Sequence, residues 1–225
     1  MDRLVIAKFG GSAIGVDGIS IPIILQRINE LKRSSKVIAI FSAPLTIHGG
    51  EKRSLTDIAL ELGKKAEKGQ TVGVDEIKRA YEKILELVGD NYQVECQNTI
   101  NTFLEKSKAA LDVAKQKGEF TDEVRSKTLA FTGEILISKV MDYIMKSQGI
   151  KSAFVDFDIW PIITDHNIES TNFLASESFE RLEPLEKLLK ENDVISIGGF
   201  IGKTKDGIMT TYERGGSDRT AADIG

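Results

Sequence analysis

The sequence predicts an α/β fold, a three-layer αβα sandwich around a mainly parallel central sheet. Three observations predict it. Short apolar runs bounded by chain breakers alternate with segments of helical period. The first two runs are joined by one amphipathic helix, the strand–helix–strand order that favours parallel pairing and a right-handed crossover. The runs also lack strict polar–apolar alternation, as strands covered on both faces do.

Leu4–Ala7 and Val37–Phe41 read as the first two buried strands, rich in β-branched residues. Between them Ser20–Arg33 reads as a helix, with Ser20 as N-cap and Pro22 in the first turn. Its apolar residues Ile21, Ile24, Leu25 and Ile28 recur at three- and four-residue spacing, so one face packs on a sheet. Four helical segments follow: Leu55–Lys68, Val74–Val88, Asn98–Lys117 and Thr121–Ser147, with Gly69, Gly89 and Gly118 near their ends as stop signals. Strand character returns at Ser152–Val155 and Val194–Ile197, separated by a loop and the helix Glu183–Glu191. A polar hairpin-like stretch, Lys203–Thr211, precedes Ser217–Ile224, which reads as the beginning of a helix. A helix that has just been capped when the chain stops at Gly225 suggests a piece cut from something longer.

Bulk properties narrow the partners. A net charge of −4 argues against nucleic acid or an anionic membrane as the main partner. The longest compact apolar run, Val37–Phe41, falls far short of the roughly 20 residues a spanning helix needs. Lys8 and the glycines after it interrupt the first apolar run before it could serve as a signal-peptide core. A single cysteine, Cys96, forms no internal disulfide, has no neighbouring cation to activate it, and reads as a plain thiol. His48 and His166 lack metal-ligand partners at helical spacing, so no protein-bound metal is expected. A cytoplasmic, enzyme-sized domain fits these properties.

Chemistry is concentrated in three glycine-rich stretches. In KFGGSAIG, Lys8 ends the first apolar run and Gly10, Gly11 and Ser12 follow it. Ligands of open parallel sheets collect at the carboxyl ends of strands. There, glycine amides and a lysine ammonium can meet an anion together. GGFIG places Gly198 and Gly199 at the end of a later strand, and RGGSD (Arg214–Asp218) places Gly215 and Gly216 at the mouth of the last helix. Together they point to a polyphosphate site, without the G-x-G-x-x-G fingerprint of dinucleotide folds. Asp218 would repel a phosphate, so its use is to hold a lysine, with Lys8 the natural partner, or Mg2+.

KFGGSAIG, FTGE (Phe131–Glu134), GFIG (Gly199–Gly202) and TTYERGGSD (Thr210–Asp218), in this order over nearly the whole chain, resemble the aspartate kinases of the amino-acid kinase family. The resemblance implies ATP-dependent, Mg2+-assisted phosphorylation of the side-chain carboxylate of L-aspartate to 4-phospho-L-aspartate, the first step toward lysine, threonine and methionine. It implies that Lys8 stabilises the transferring phosphoryl group with help from the Gly10 and Gly11 amides. Ser42 and Thr46 would contact aspartate, Glu134 would bind its amino group, and Asp218 would orient the catalytic lysine. Residues 1–225 would then hold the amino-acid lobe and the start of the ATP-binding half of the catalytic domain. The nucleotide lobe and regulatory domains would be absent, the piece inactive alone, and the full-length protein a homo-oligomer.

A carboxylate is already an ionised nucleophile and needs no general base, which suits a sequence without a histidine constellation. Two departures stand out. Ala13 replaces a hydroxyl residue usual in the opening motif, and Ser152–Glu180, where the resemblance implies a carboxylate-gripping arginine, contains neither Lys nor Arg. Lys151 and Arg181 flank that stretch. Two alternatives stay open: a non-catalytic small-molecule-binding domain, and a related kinase acting on another carboxylate or phosphate acceptor.

Overall fold

The computed structural model describes residues 3–213 and 215–225. In chain order it comprises β1 (Leu4–Phe9), α1 (Gly11–Ile14), α2 (Ile21–Leu31), β2 (Lys36–Phe41), β3 (Leu45–His48), β4 (Glu51–Ser54) and α3 (Leu55–Glu67). Helices α4 (Asp75–Leu85), α5 (Asp90–Lys117), α6 (Asp122–Thr132) and α7 (Glu134–Ser147) follow, then β5 (Ser152–Phe154). The remainder is α8 (Ala175–Phe179), α9 (Glu183–Glu191), β6 (Val194–Gly198), β7 (Ile201–Lys203), β8 (Met209–Thr211) and α10 (Gly216–Ile224).

Four strands form a parallel sheet in the order β1-β2-β6-β5. Val37 to Phe41 of β2 and all of β6 are buried. Successive strand residues point to opposite faces, so a run buried at every position is covered on both sides. That is the three-layer αβα arrangement. Helix α7 packs on β2, β5 and β6, α10 on β1 and β2, α2 on β2 and α9 on β6. Ile38, Ile40, Ile195 and Ile197 are all but inaccessible, each contributing about 1.5–3 kcal/mol of transfer free energy.

Register brings the motifs together. Phe9 pairs with Phe41, their rings stacked at 5.5 Å, and Phe41 pairs with Gly198. The segments that follow β1, β2 and β6 therefore leave the sheet side by side at its carboxyl end.

Three stretches differ from the sequence reading. The single helix expected over Thr121–Ser147 is two, α6 and α7, broken at Gly133, whose φ/ψ of −121°/−106° is non-helical. A Cβ there would lie 2.9 Å from the Leu129 carbonyl oxygen, so only glycine fits. The Tyr81 hydroxyl donates to the Thr132 carbonyl, an acceptor that the break releases, and shares the Gly133 carbonyl with the Ile137 amide. Helix α5 begins at Asp90 rather than Asn98, because Gly89 takes up an extended N-cap conformation instead of only ending α4. Its first turns carry exposed residues such as Val94, which hide the apolar period. Finally, Leu45–Ser54 forms a β3–β4 hairpin, turned by Gly49 and Gly50, both at positive φ as tight hairpin turns require.

Candidate active site

Lys8 is the penultimate residue of β1, and its Nζ lies 2.9 Å from Asp218 Oδ1 in the first turn of α10. The lysine side chain is 27% exposed and the aspartate 73%. Gly10 gives the ammonium its room, since a Cβ there would lie 3.2 Å from Nζ. The amides of Gly11 and Ser12 open α1 and donate to no described group, as first-turn donors do until a ligand arrives.

The start of α10 is seated by close backbone approach. A Cβ on Gly216 would come within 2.4 Å of Tyr212 Cβ, and one on Gly199 within 2.6 Å of Ser217 Cβ. The Phe200 amide donates to Thr220 Oγ1 at 3.0 Å, locking Phe200 at φ 68°, a conformation unfavourable by roughly 1 kcal/mol for a residue with a side chain. Arg214 lies outside the described residues.

Behind Lys8 the packing runs from Gly11 to Glu134 through Ala43. A Cβ on Gly11 would sit 2.5 Å from the Ala43 carbonyl oxygen, and the Ala43 amide donates to Glu134 Oε1 at 3.3 Å. A Cβ on Gly198 would lie 2.8 Å from the Glu134 carbonyl oxygen. Glu134 opens α7 directly after the break, only 4% exposed, and its Oε2 has no hydrogen-bond partner. Burial pushes this carboxyl up to about 7, against the opposing pull of the Ala43 amide and its own amide. A buried carboxylate with an empty lone pair is costly unless a cation or donor completes it.

Glu134 forms part of the wall of a cavity of about 630 Å3, together with Arg125, Leu129, Glu169, Tyr212 and Gly216. Gly215 and Ser217 also line it. Ser42 and Thr46 do not: the Ser42 amide donates to the Phe9 carbonyl, and the buried Thr46 hydroxyl donates to Asp17 Oδ1 at 2.6 Å. Arg125 is the charged wall residue that the sequence reading passed over, since it lies among Asp122, Glu123 and Lys127 in what reads as a solvated helical face.

No group of three or more His, Cys, Asp or Glu side chains that could hold a metal occurs among the described residues, and Asp218 is already paired with Lys8. These side chains do not fit a protein cage for Mg2+. Cys96 is buried, and that burial, with Glu95 nearby, pushes its thiol up to about 12. No helix among the described residues is long and apolar enough to cross a membrane.

The sequence model of the amino acid kinase family matches residues 3–225. Aspartokinases of Rickettsia felis and Rickettsia conorii are 37% and 35% identical over 92 residues, 40% of this chain and 22% of each relative. Among solved structures, Escherichia coli aspartokinase III in complex with aspartate and ADP superposes with a TM-score of 0.79 at 20% identity, over 99% of this chain and 46% of that one. The Clostridium acetobutylicum aspartate kinase gives 0.69 at 22% identity, over 98% and 44%. The chain thus spans less than half the length of these solved relatives.

Proposed function

This chain belongs to the amino-acid kinase family, and from that premise we propose that it binds L-aspartate for ATP-dependent phosphorylation of the side-chain carboxylate, giving 4-phospho-L-aspartate. The product would open the route to lysine, threonine and methionine. One observation carries the reading: Glu134 presents a buried, unpartnered carboxylate oxygen at a cavity beside the sheet end that carries Lys8. The ammonium of an amino acid supplies the missing partner through a charge-assisted contact. The relative solved with both aspartate and ADP supports the same pair of ligands here.

In this reading Glu134 anchors the α-ammonium and leaves the side-chain carboxylate, already ionised, free to attack the γ-phosphorus of ATP, whose bond to the β,γ-bridging oxygen breaks as ADP leaves. No residue need remove a proton. The catalytic difficulty is repulsion between two anions, and the Lys8 ammonium with the Gly11 and Ser12 amides counters it where charge gathers on the transferring group. Gly10 keeps Lys8 unobstructed and Asp218 orients it. The glycines at 198–199 and 215–216 bring backbone to the phosphate side. Mg2+ carried on the nucleotide phosphates, held by waters and substrate oxygens, would add to that screening. Ser42 and Thr46 reach the substrate only if the loop after β2 rearranges on binding.

We assign residues 1–225 to the amino-acid lobe and the start of the ATP half of a cytoplasmic, homo-oligomeric kinase, and expect binding without turnover from these residues alone. Hydroxylamine trapping tests the assignment. A protein joining this domain to a nucleotide-binding half should give a hydroxamate with ATP, Mg2+ and L-aspartate. Hydroxamate from another carboxylate but not from L-aspartate would overturn the substrate, and none from any carboxylate would overturn the activity.

A further inference from the structure

The cavity beside Glu134 is acidic. Asp57, Glu134, Glu169 and Glu213 line it, and Arg125 is the one cationic side chain among its described lining residues. A ligand that brings an ammonium to Glu134 and also carries carboxylates is repelled by the other acidic side chains of this wall, and Arg125 is the charge there that attracts it. The guanidinium is prepared for such a ligand. It is mostly buried, its Nη1 donates to Thr211 Oγ1 at 3.1 Å, and its Nε lies 3.5 Å from Glu169 Oε2. Glu169 is itself fixed, because its Oε1 accepts from the Asp122 amide at 2.8 Å. These contacts engage Nη1 and Nε and leave Nη2 without a described acceptor.

Arg125 and Leu129 lie one turn apart on α6, and both face the cavity. Arg125 on α6 and Glu134 at the start of α7 stand on either side of the break at Gly133, and both line the cavity. One cavity wall thus offers a cation and an anion, the charges that complement the carboxylate and the ammonium of one α-amino acid.

We propose that Arg125 receives the α-carboxylate of the bound amino acid through its Nη2 edge, with Glu169 and Thr211 as the residues that position it. The inference rests on the L-aspartate reading above and adds the source of selectivity within it. It also supplies the cation that residues 152–180 lack.

β-Alanine is L-aspartate without its α-carboxylate, so the pair isolates this contact. By titration calorimetry the unaltered chain should bind L-aspartate at least tenfold more tightly than β-alanine. Arg125→Gln should weaken L-aspartate at least tenfold and leave β-alanine unchanged. Arg125→Lys, which keeps the charge and loses the fork, should fall between and covers the case in which the glutamine variant does not fold. An Arg125 variant that binds L-aspartate normally, or weakens both ligands equally, overturns Arg125's role while leaving the aspartate reading intact. Failure of the unaltered chain to bind L-aspartate overturns both.

Discussion

Replacing Glu134 by glutamine should change how stability depends on pH, and the size of the change follows from the burial of this one carboxyl. Its folded-state value of about 7 stands above the ordinary 4.5. The folded chain therefore holds the proton more tightly than the unfolded chain between those values. Stability contributed by the protonated form is complete below about pH 4.5, declines as pH rises through about 7, and is gone above it. At about 1.4 kcal/mol per tenfold change in proton affinity, the decline amounts to about 3 kcal/mol. For a chain of this length that is roughly 6–12 °C in Tm. Glu134→Gln carries no ionisable group, so it should lack this decline, gain on the unaltered protein from pH 5 to about pH 7 and level off by pH 8. Urea denaturation of both proteins at pH 5, 6, 7 and 8 measures the difference. A difference that stays flat across this range would refute the argument that the Glu134 carboxyl is buried without a partner.

Other substitutions probe the neighbouring contacts. Gly11→Ala drives a methyl to 2.5 Å from the Ala43 carbonyl oxygen and should cost about 1–3 kcal/mol in chemical denaturation. Gly10→Ala meets only the movable end of Lys8, so it should leave stability within about 0.5 kcal/mol while slowing hydroxamate formation in the catalytically complete protein. Lys8→Met should lower that rate at least about 100-fold with little change in L-aspartate affinity, as expected of a group that acts on the transferring phosphoryl. Equal losses in rate and affinity would place Lys8 in substrate binding instead. Tyr81→Phe strands the Thr132 carbonyl and should cost about 1–2 kcal/mol, read as a lower denaturation midpoint.

Much of this arrangement is legible in the sequence because it depends on backbone. The parallel order of the strands follows from the apolar runs and the helix between the first two, and the pairing of Lys8 with Asp218 from the poor fit of a carboxylate beside phosphate. Glycine runs announce close approach, but not to what. Gly198 and Gly199 make room for the Glu134 backbone and for Ser217, neighbours that only the tertiary fold supplies. The break at Gly133 is hidden because apolar residues stand on both sides of it, Leu129, Ala130 and Phe131 before and Ile135, Leu136 and Ile137 after, and the crowding against Leu129 and Ala43 that reserves the position for glycine is partly non-local. Arg125 was illegible for a similar reason. Its charge matches its neighbours on an exposed-looking helix, and only the return of Glu169 from a distant loop and Thr211 from β8 makes it part of a cavity wall.

The account stands most directly on Glu134 receiving an ammonium, and the carboxyl carbon of Glu134 reports it. In protein labelled with 13C at glutamate side-chain carboxyls, this resonance should titrate near pH 7 without ligand. Saturating L-aspartate should move the midpoint down by about 1–3 pH units, as a paired cation does for a carboxylate. A midpoint already near 4.5, or one that L-aspartate leaves unmoved, would contradict the account.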